Sequence, residues 1–342
     1  MSNKSLSAPQ KRAIQIGQAA NQAAASRIFA DYVSRKSDNT LRTQRHGLAA
    51  FADFLAEVGI GEISAEILQS TPSAWLGITW GLVEAFAKWQ LNIGYAVATV
   101  NNRLSAVKAY AKLASKAGVI PPEDNLLIQS VTGYGHKEGL RIDQRRDVTR
   151  LGSKKAEHVK ITLEQARVFK QPSDETPQAK RDAFLMCLLL DHGLRCGEVA
   201  GLKVAAIELE MGVLRFFRPK VSLTQTHYLT SSTLTAYKAY LPFLINRSRT
   251  QPLLRGSRKG GKLTDAQMSV RAITKRVQVL GQQQGISGLS AHDCRHYWAT
   301  NAAHSGTDPF VLQEAGGWSS LTMPRRYVAS AEIANKGVRL EE

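Results

Sequence analysis

Between Ser290 and Val328 the chain reads SAHDCRHYWATNAAHSGTDPFVLQEAGGWSSLTMPRRYV, and four of its side chains are suited to chemistry rather than to filling a core. His292 and Arg295 are three residues apart, so on a helix they project from one face. Trp318 brings an indole N–H, a donor that does not titrate. Tyr327 brings a hydroxyl that is a weak nucleophile at its ordinary pKa of about 10 and needs a base and a cationic setting to attack. Taken singly, each has a plain structural account: buried Trp and Tyr with one satisfied donor are common, and a His-x-x-Arg pair alone carries little. Two cations further upstream change the weight. Arg195 leaves a helix junction just after Gly193, and Lys220 lies at a hairpin tip. In the order Arg195, Lys220, His292, Arg295, Trp318, Tyr327 the six describe a phosphate-handling site with a tyrosine beside it.

Helices are needed to position them, and the apolar spacing supplies helices. The first 36 residues, rich in Ala, Gln and Ser, read as a mobile arm or weak helix. From Ser37 to Ile120 three amphipathic helices form a small all-α domain. The first carries Leu41, Leu48, Phe51, Leu55 and Val58. The second covers 78–92, with Leu82, Phe86 and Trp89. The third covers 99–117, with Val100, Leu104, Val107, Tyr110 and Leu113. Residues 121–160 show little periodicity and read as a basic interdomain linker, including Lys154 and Lys155, that is either simply solvated or laid along DNA. Residues 161–342 form the second domain. Thr162 and Gln165 make a capping box, an almost wholly apolar helix runs through Phe184–Leu190, and two strands bend at 219–225. A helix follows over 232–245, and TDAQ opens another whose stripe is Met268, Ile273, Val277 and Leu280. A further helix spans Ala291–His304, and Asp308 and Pro309 start one that stops at Gly316. The fold class expected is mainly α with a small β-hairpin.

Composition narrows the partner. Among 342 residues, 45 Lys and Arg against 28 Asp and Glu give a net charge of +17, which favours a polyanion, nucleic acid first. A cationic helix face is a solvated face or a phosphate-tracking one. Here the candidates for DNA contact are Asn101, Asn102, Arg103, Lys108 and Lys112 on the third helix, and Arg141, Arg145 and Arg146 on the linker. Cys187, Cys196 and Cys294 are odd in number and lack CxxC spacing, which argues against a disulfide framework or a zinc site and fits a cytoplasmic protein. No apolar run is long enough to span a membrane, and exposed stacking aromatics of the kind RNA binding uses are not evident.

The segments HGLRCGEVAGL, RPKVSLTQTHYLT, SAHDCRHYWAT, LQEAGGWSS and RRYV together resemble the tyrosine site-specific recombinases, the phage integrase-like family, over nearly all of residues 37–328. The resemblance implies an all-α core-binding domain joined to an α+β catalytic domain. Arg195, Lys220, His292, Arg295, Trp318 and Tyr327 are then the catalytic set and Glu198 its acidic support; for Glu198 a helix-surface charge is the other reading. Trp318 stands where most members carry His, which resembles the Cre branch. The implied reaction makes a 3′-phosphotyrosyl intermediate and a Holliday junction without metal, ATP or other cofactor. It is carried out by a homo-tetramer on double-stranded DNA, one dimer per inverted-repeat site, in the cytoplasm at the nucleoid. The tail 329–342 either docks on a neighbouring protomer or frays. A relative that only relaxes DNA, or binds it without chemistry, is the alternative.

Overall fold

The structure is a computed structural model, described here for residues 7–61, 63–151, 157–244 and 248–328. The chain divides into two compact units, Met1–Ala156 and Glu157–Glu342.

Unit 1 is helical: α1 (Ala8–Ser34), α2 (Asp38–Glu57), α3 (Ala65–Ser70), α4 (Trp80–Ile93), α5 (Val97–Lys116), α6 (Pro122–Ser130) and α7 (His136–Asp143). Ser37 caps α2 by accepting from the backbone N–H of Thr40. The expected stripes face inward, with Leu48, Phe51, Leu55, Phe86, Val100, Val107 and Tyr110 fully buried, while Val58 is exposed. The core is aromatic. Phe51 meets Phe86 edge to face at 5.0 Å between centroids and stacks on Trp75 at 5.9 Å. Residues 8–34, read as an arm or weak helix, are a 27-residue helix anchored through Phe29 against Tyr110.

The stretch expected to be an unstructured connection carries α6 and α7 instead, and Ile128 and Val131 belong to the core of unit 1. Pro122, which looks like a breaker, occupies the first helical turn, where its missing N–H costs nothing. With Ile128 buried and Leu126 and Leu127 exposed, α6 has too narrow an apolar face to show periodicity. Lys154, Lys155 and the tail 329–342 lie outside the described residues.

Unit 2 contains α8 (Leu163–Phe169), α9 (Pro177–Leu190), α10 (Cys196–Gly201), β1 (Ile207–Glu208), β2 (Val213–Arg218), β3 (Leu223–Tyr228), α11 (Ser231–Tyr240), β4 (Arg255–Ser257), β5 (Leu263–Gln267), α12 (Val270–Gln283), α13 (Ala291–His304), α14 (Pro309–Gly316) and α15 (Thr322–Val328). The apolar helix α9 is the centre of its core, with Phe184 through Leu190 buried. The strands form an antiparallel sheet in the order β1-β2-β3 and a separate β4-β5 pair. The hairpin turn is residues 219–222, shorter than the expected bend, because Leu223 pairs with Arg218 and Gln225 with Phe216.

Two helix starts also differ. TDAQ lies in β5, where Asp265 receives Arg255 from β4, and Ser269 caps the following helix α12. A Thr and a Gln three apart suit a capping box or an exposed strand equally, and pairing with β4 decides between them. Helix α11 ends at Tyr240, before Pro242, rather than continuing to 245, which lies outside the described residues.

Candidate functional site

Helix α13 supplies the centre of the site. Ser290 accepts from the N–H of Asp293 and the Asp293 side chain returns to the N–H of Ser290, a reciprocal cap that sets the helix phase. That phase buries Arg295, 4% exposed, and leaves His292 at the surface one turn away. Arg295 donates to the carbonyls of Gly193 and Gly316, so the loop after α9 and the end of α14 meet on one guanidinium. Gly193, at φ +60°, is pressed against the Trp298 ring; a side chain there would collide with it.

Arg195 is the N-cap residue of α10. Its guanidinium donates to Glu198 at 2.8 Å and to the carbonyl of Gly317 at 3.3 Å, and its backbone N–H donates to the other Glu198 oxygen at 2.8 Å. Glu198 is 5% exposed, so the helix-surface reading does not hold. Its second oxygen also accepts from Arg218 at 2.8 Å. One buried carboxylate therefore serves two guanidiniums, and Arg295 brings a third nearby. The excess positive charge is felt. Burial first, then the charges of Arg195 and Arg218, bring Arg295 down to about 9, with Glu198 opposing.

Helix α14 ends at Gly316, and Gly317 at φ +58° turns the chain left-handed, one residue later than the expected stop. Trp318 emerges from this turn with its ring 4.5 Å from the Arg295 guanidinium and 5.8 Å from the Tyr327 ring. Tyr327, on α15, is 4% exposed. Burial raises its pKa, while Arg295, Arg326 and Arg195 pull it down.

His292 is linked to Tyr327 through His296. The Nε2 atoms of His292 and His296 are 3.2 Å apart, and the His296 ring stands edge to face with Tyr327 at 5.2 Å and stacks on His158 at 4.7 Å. Desolvation lowers the pKa of both His292 and His296, the latter to about 4, and the mutual charge repulsion of the two rings pushes His296 in the same direction. The rings border a cavity of about 730 Å³ that is also lined by Val159, Ile161, Met323, Arg326 and Tyr327.

The contacts among the described residues thus join Arg195, Arg295, Trp318 and Tyr327, with His292 reached through His296. Lys220 is not among them; it is exposed in the hairpin turn. The sequence reading passed over Arg218, Gln225, His158 and His296. Only His296 had a usable signal, its i+4 spacing from His292.

In unit 1 the eight candidates for DNA contact divide evenly. Asn101 donates to the carbonyl of Tyr134 at 2.8 Å and accepts from its N–H at 2.9 Å, so both ends of the amide are engaged. Arg103 reaches Gln90 and covers the Tyr95 ring at 4.0 Å. Lys108 donates to the carbonyl of Val131. Arg146 pairs with Asp143 at 2.6 Å and donates to the carbonyls of Leu91 and Tyr95 at the end of α4. Asn102, Lys112, Arg141 and Arg145 are exposed.

A mostly helical chain that converges three guanidiniums, an indole and a tyrosine on one point has the layout of a site for phosphodiester chemistry. Comparison with known proteins gives the class. The family described as the phage integrase family matches residues 160–333, just over half of the chain. The chain belongs to that family, the tyrosine recombinases, enzymes that cleave and rejoin DNA strands. Among curated relatives, it is 28% identical over 226 residues to tyrosine recombinase XerA of Pyrococcus furiosus, covering 65% of this chain and 74% of the relative. It is 24% identical over 295 residues to tyrosine recombinase XerC of Actinobacillus succinogenes, covering 86% and 87%. Among solved structures, a lambda integrase dimer bound to a COC′ core site aligns at TM-score 0.59 and 15% identity, over 93% of this chain and 96% of that one. The Tn1549 transposon integrase in complex with transposon right end DNA aligns at TM-score 0.59 and 16% identity, over 91% and 96%. These likenesses confirm the mainly helical recombinase fold. Among the described residues no helix is long and apolar enough to cross a membrane.

Proposed function

We propose that this chain is a site-specific DNA recombinase acting through Tyr327. The observation that carries the reading is the convergence of Arg195, Arg295, Trp318 and Tyr327 at the ends of α10, α13, α14 and α15. Breaking a phosphodiester without a metal requires the protein to supply charge and donors for a five-coordinate transition state. Arg195 and Arg295 each spend two of five N–H donors on the fold and present the rest to non-bridging oxygens. Trp318 donates one more, and the Trp at this position is the ground for likeness to the Cre branch.

The Tyr327 oxygen attacks phosphorus, its proton passes to His292, and the 5′ oxygen leaves with a proton from Lys220. A 3′-phosphotyrosyl bond preserves the energy of the broken ester, so rejoining consumes neither ATP nor metal. Strand exchange proceeds through a Holliday junction in a tetramer on inverted-repeat sites, with a dimer on each, acting on nucleoid DNA in the cytoplasm. Asn102, Lys112, Arg141 and Arg145 contact the duplex, chiefly its phosphates, while Asn101, Arg103, Lys108 and Arg146 hold the face that presents them.

The test is a supercoiled plasmid carrying two copies of the cognate site, recovered by selection from genomic fragments. Recombinant circles without added metal or ATP are the expected product. Relaxed circles alone would make the enzyme a topoisomerase-like relative, and binding without either product would make it a DNA-binding protein.

A further inference from the structure

The side chain of Arg218 is entirely buried, and every nitrogen of its guanidinium is committed. Nε donates to Gln225 across the hairpin, one terminal nitrogen to Glu198 at 2.8 Å, and the other to the carbonyl of Ala315 at 2.7 Å. Gln225 in turn donates to the carbonyl of Glu314. The backbone of Gly317 lies so close to Arg218 that a β-carbon at Gly317 would strike it. Three pieces of the site therefore meet on one side chain: the hairpin that bears Lys220 two residues on, the Glu198–Arg195 pair, and the end of α14 from which Trp318 emerges.

With three of its five N–H donors on Gln225, Glu198 and Ala315 and none of its side chain exposed, this guanidinium is closed off from a phosphate. Its placement suits a different task. Glu198 has two oxygens; with Arg218 on one, the Arg195 guanidinium is confined to the other, in a single orientation. Lys220 stands in a four-residue turn, and the docking of β2 and β3 on α14 limits how far that turn can swing.

We infer that Arg218 is a positioning residue that couples the Lys220 hairpin to the Arg195–Glu198 pair, so that the leaving-group acid and the phosphate clamp are set together. The inference rests on the proposed function and on the role given there to Lys220.

Replacing the 5′-bridging oxygen of the scissile phosphate by sulfur gives a leaving group that departs as thiolate and needs no proton. A defect that acts through the general acid is then relieved, whereas a general loss of structure slows both substrates alike. Single-turnover cleavage of oxygen and sulfur substrates is to be measured for the wild type, Lys220→Ala, Arg218→Lys and Gln225→Met, with duplex affinity and thermal melting alongside. Arg218→Lys keeps a cation beside Glu198 but loses the fork; Gln225→Met breaks the hairpin's ties to Arg218 and to the Glu314 carbonyl and leaves Arg218 on Glu198 and Ala315.

Both are expected to bind DNA within about threefold of wild type, to slow the oxygen substrate about 100-fold, and to slow the sulfur substrate by less than about 10-fold. Equal losses on both substrates, or no loss on either, would overturn the coupling. Should Arg218→Lys fail to fold, Gln225→Met decides alone. Lys220→Ala keeps the two levels apart. If it slows both substrates equally, the acid role of Lys220 falls and the inference with it; if it shows the split while Gln225→Met does not, only the inference falls.

Discussion

The catalytic unit and the helical unit 1 treat their cations in opposite ways. In unit 2, Arg195, Arg218 and Arg295 are tied to a buried carboxylate and to loop carbonyls, and the ties aim them. In unit 1, half of the candidate DNA-contact residues are absorbed by the fold of the unit itself and half remain at the surface. Cations held in buried networks serve a fixed geometry. Exposed ones suit a polyanion, whose contacts are many and individually weak. The difference predicts where substitutions cost rate, where they cost stability, and where they cost only affinity.

The largest effect should come from Arg295→Ala. Removing a preorganised donor that also joins the loop after α9 to the end of α14 is expected to slow strand cleavage about 1,000-fold or more, with far less change in duplex affinity. Equal losses in rate and affinity would mean that Arg295 is a binding residue of the kind proposed for unit 1.

Acid should separate the units next. His192 is 2% exposed with its pKa lowered to about 4 by burial, and His227 is lowered to about 3. The unfolded chain takes up protons below the ordinary histidine pKa of about 6.5 while these folded groups remain neutral. The stability they represent is present above that pH and is lost as pH falls toward 4. For His192 alone the loss at pH 5 is about 2 kcal/mol. Melting followed between pH 7.5 and 5 should show it, and His192→Asn or another neutral replacement that folds should flatten that dependence.

Asn101→Ala comes third. Because both ends of its amide hold the Tyr134 backbone, the change should destabilise unit 1 by about 1–3 kcal/mol while leaving sequence preference intact. A change in base preference with unaltered melting would move Asn101 back to the DNA surface. Smallest is Lys112→Ala, an exposed cation. Affinity should fall modestly for all duplexes and the slope of log affinity against log salt should drop by about one.

The same contrast explains what the sequence could reveal. Helices α13 and α14 are legible because their caps and stops are local: Asp308 with Pro309 starts α14, and Gly306 closes α13. Residue type and order single out Arg195, Arg295, Trp318 and Tyr327, which the structure brings together, while His292 is reached through His296 and Lys220 stands apart in the hairpin turn. Glu198 is marked by its place three residues after Arg195, but Arg218 is not, because it meets Glu198 across 20 residues and Ala315 across 97, and no local pattern marks such a pair. Helix α6 escaped because one buried Ile among exposed Leu residues does not make a stripe, and α7 because the residue it buries is Gly139. The β4-β5 pair escaped because Thr264 and Gln267 imitate a helix cap until a partner strand is present. Among the candidates for DNA contact, composition identified the cations but not which were already spent on Val131, Gln90 or Asp143.

In the proposed mechanism Tyr327 attacks DNA phosphorus beside Arg195, Arg295 and Trp318. The most direct measurement is to incubate wild type and Tyr327→Phe with a nicked suicide duplex carrying the cognate site, without metal or ATP, and to look for a protein–DNA adduct that survives SDS. An adduct is expected with wild type, a free 5′ hydroxyl on the released strand, and no adduct with Tyr327→Phe. No adduct from a wild type that binds the duplex as tightly as the variant, or an adduct that persists in Tyr327→Phe, would contradict the mechanism.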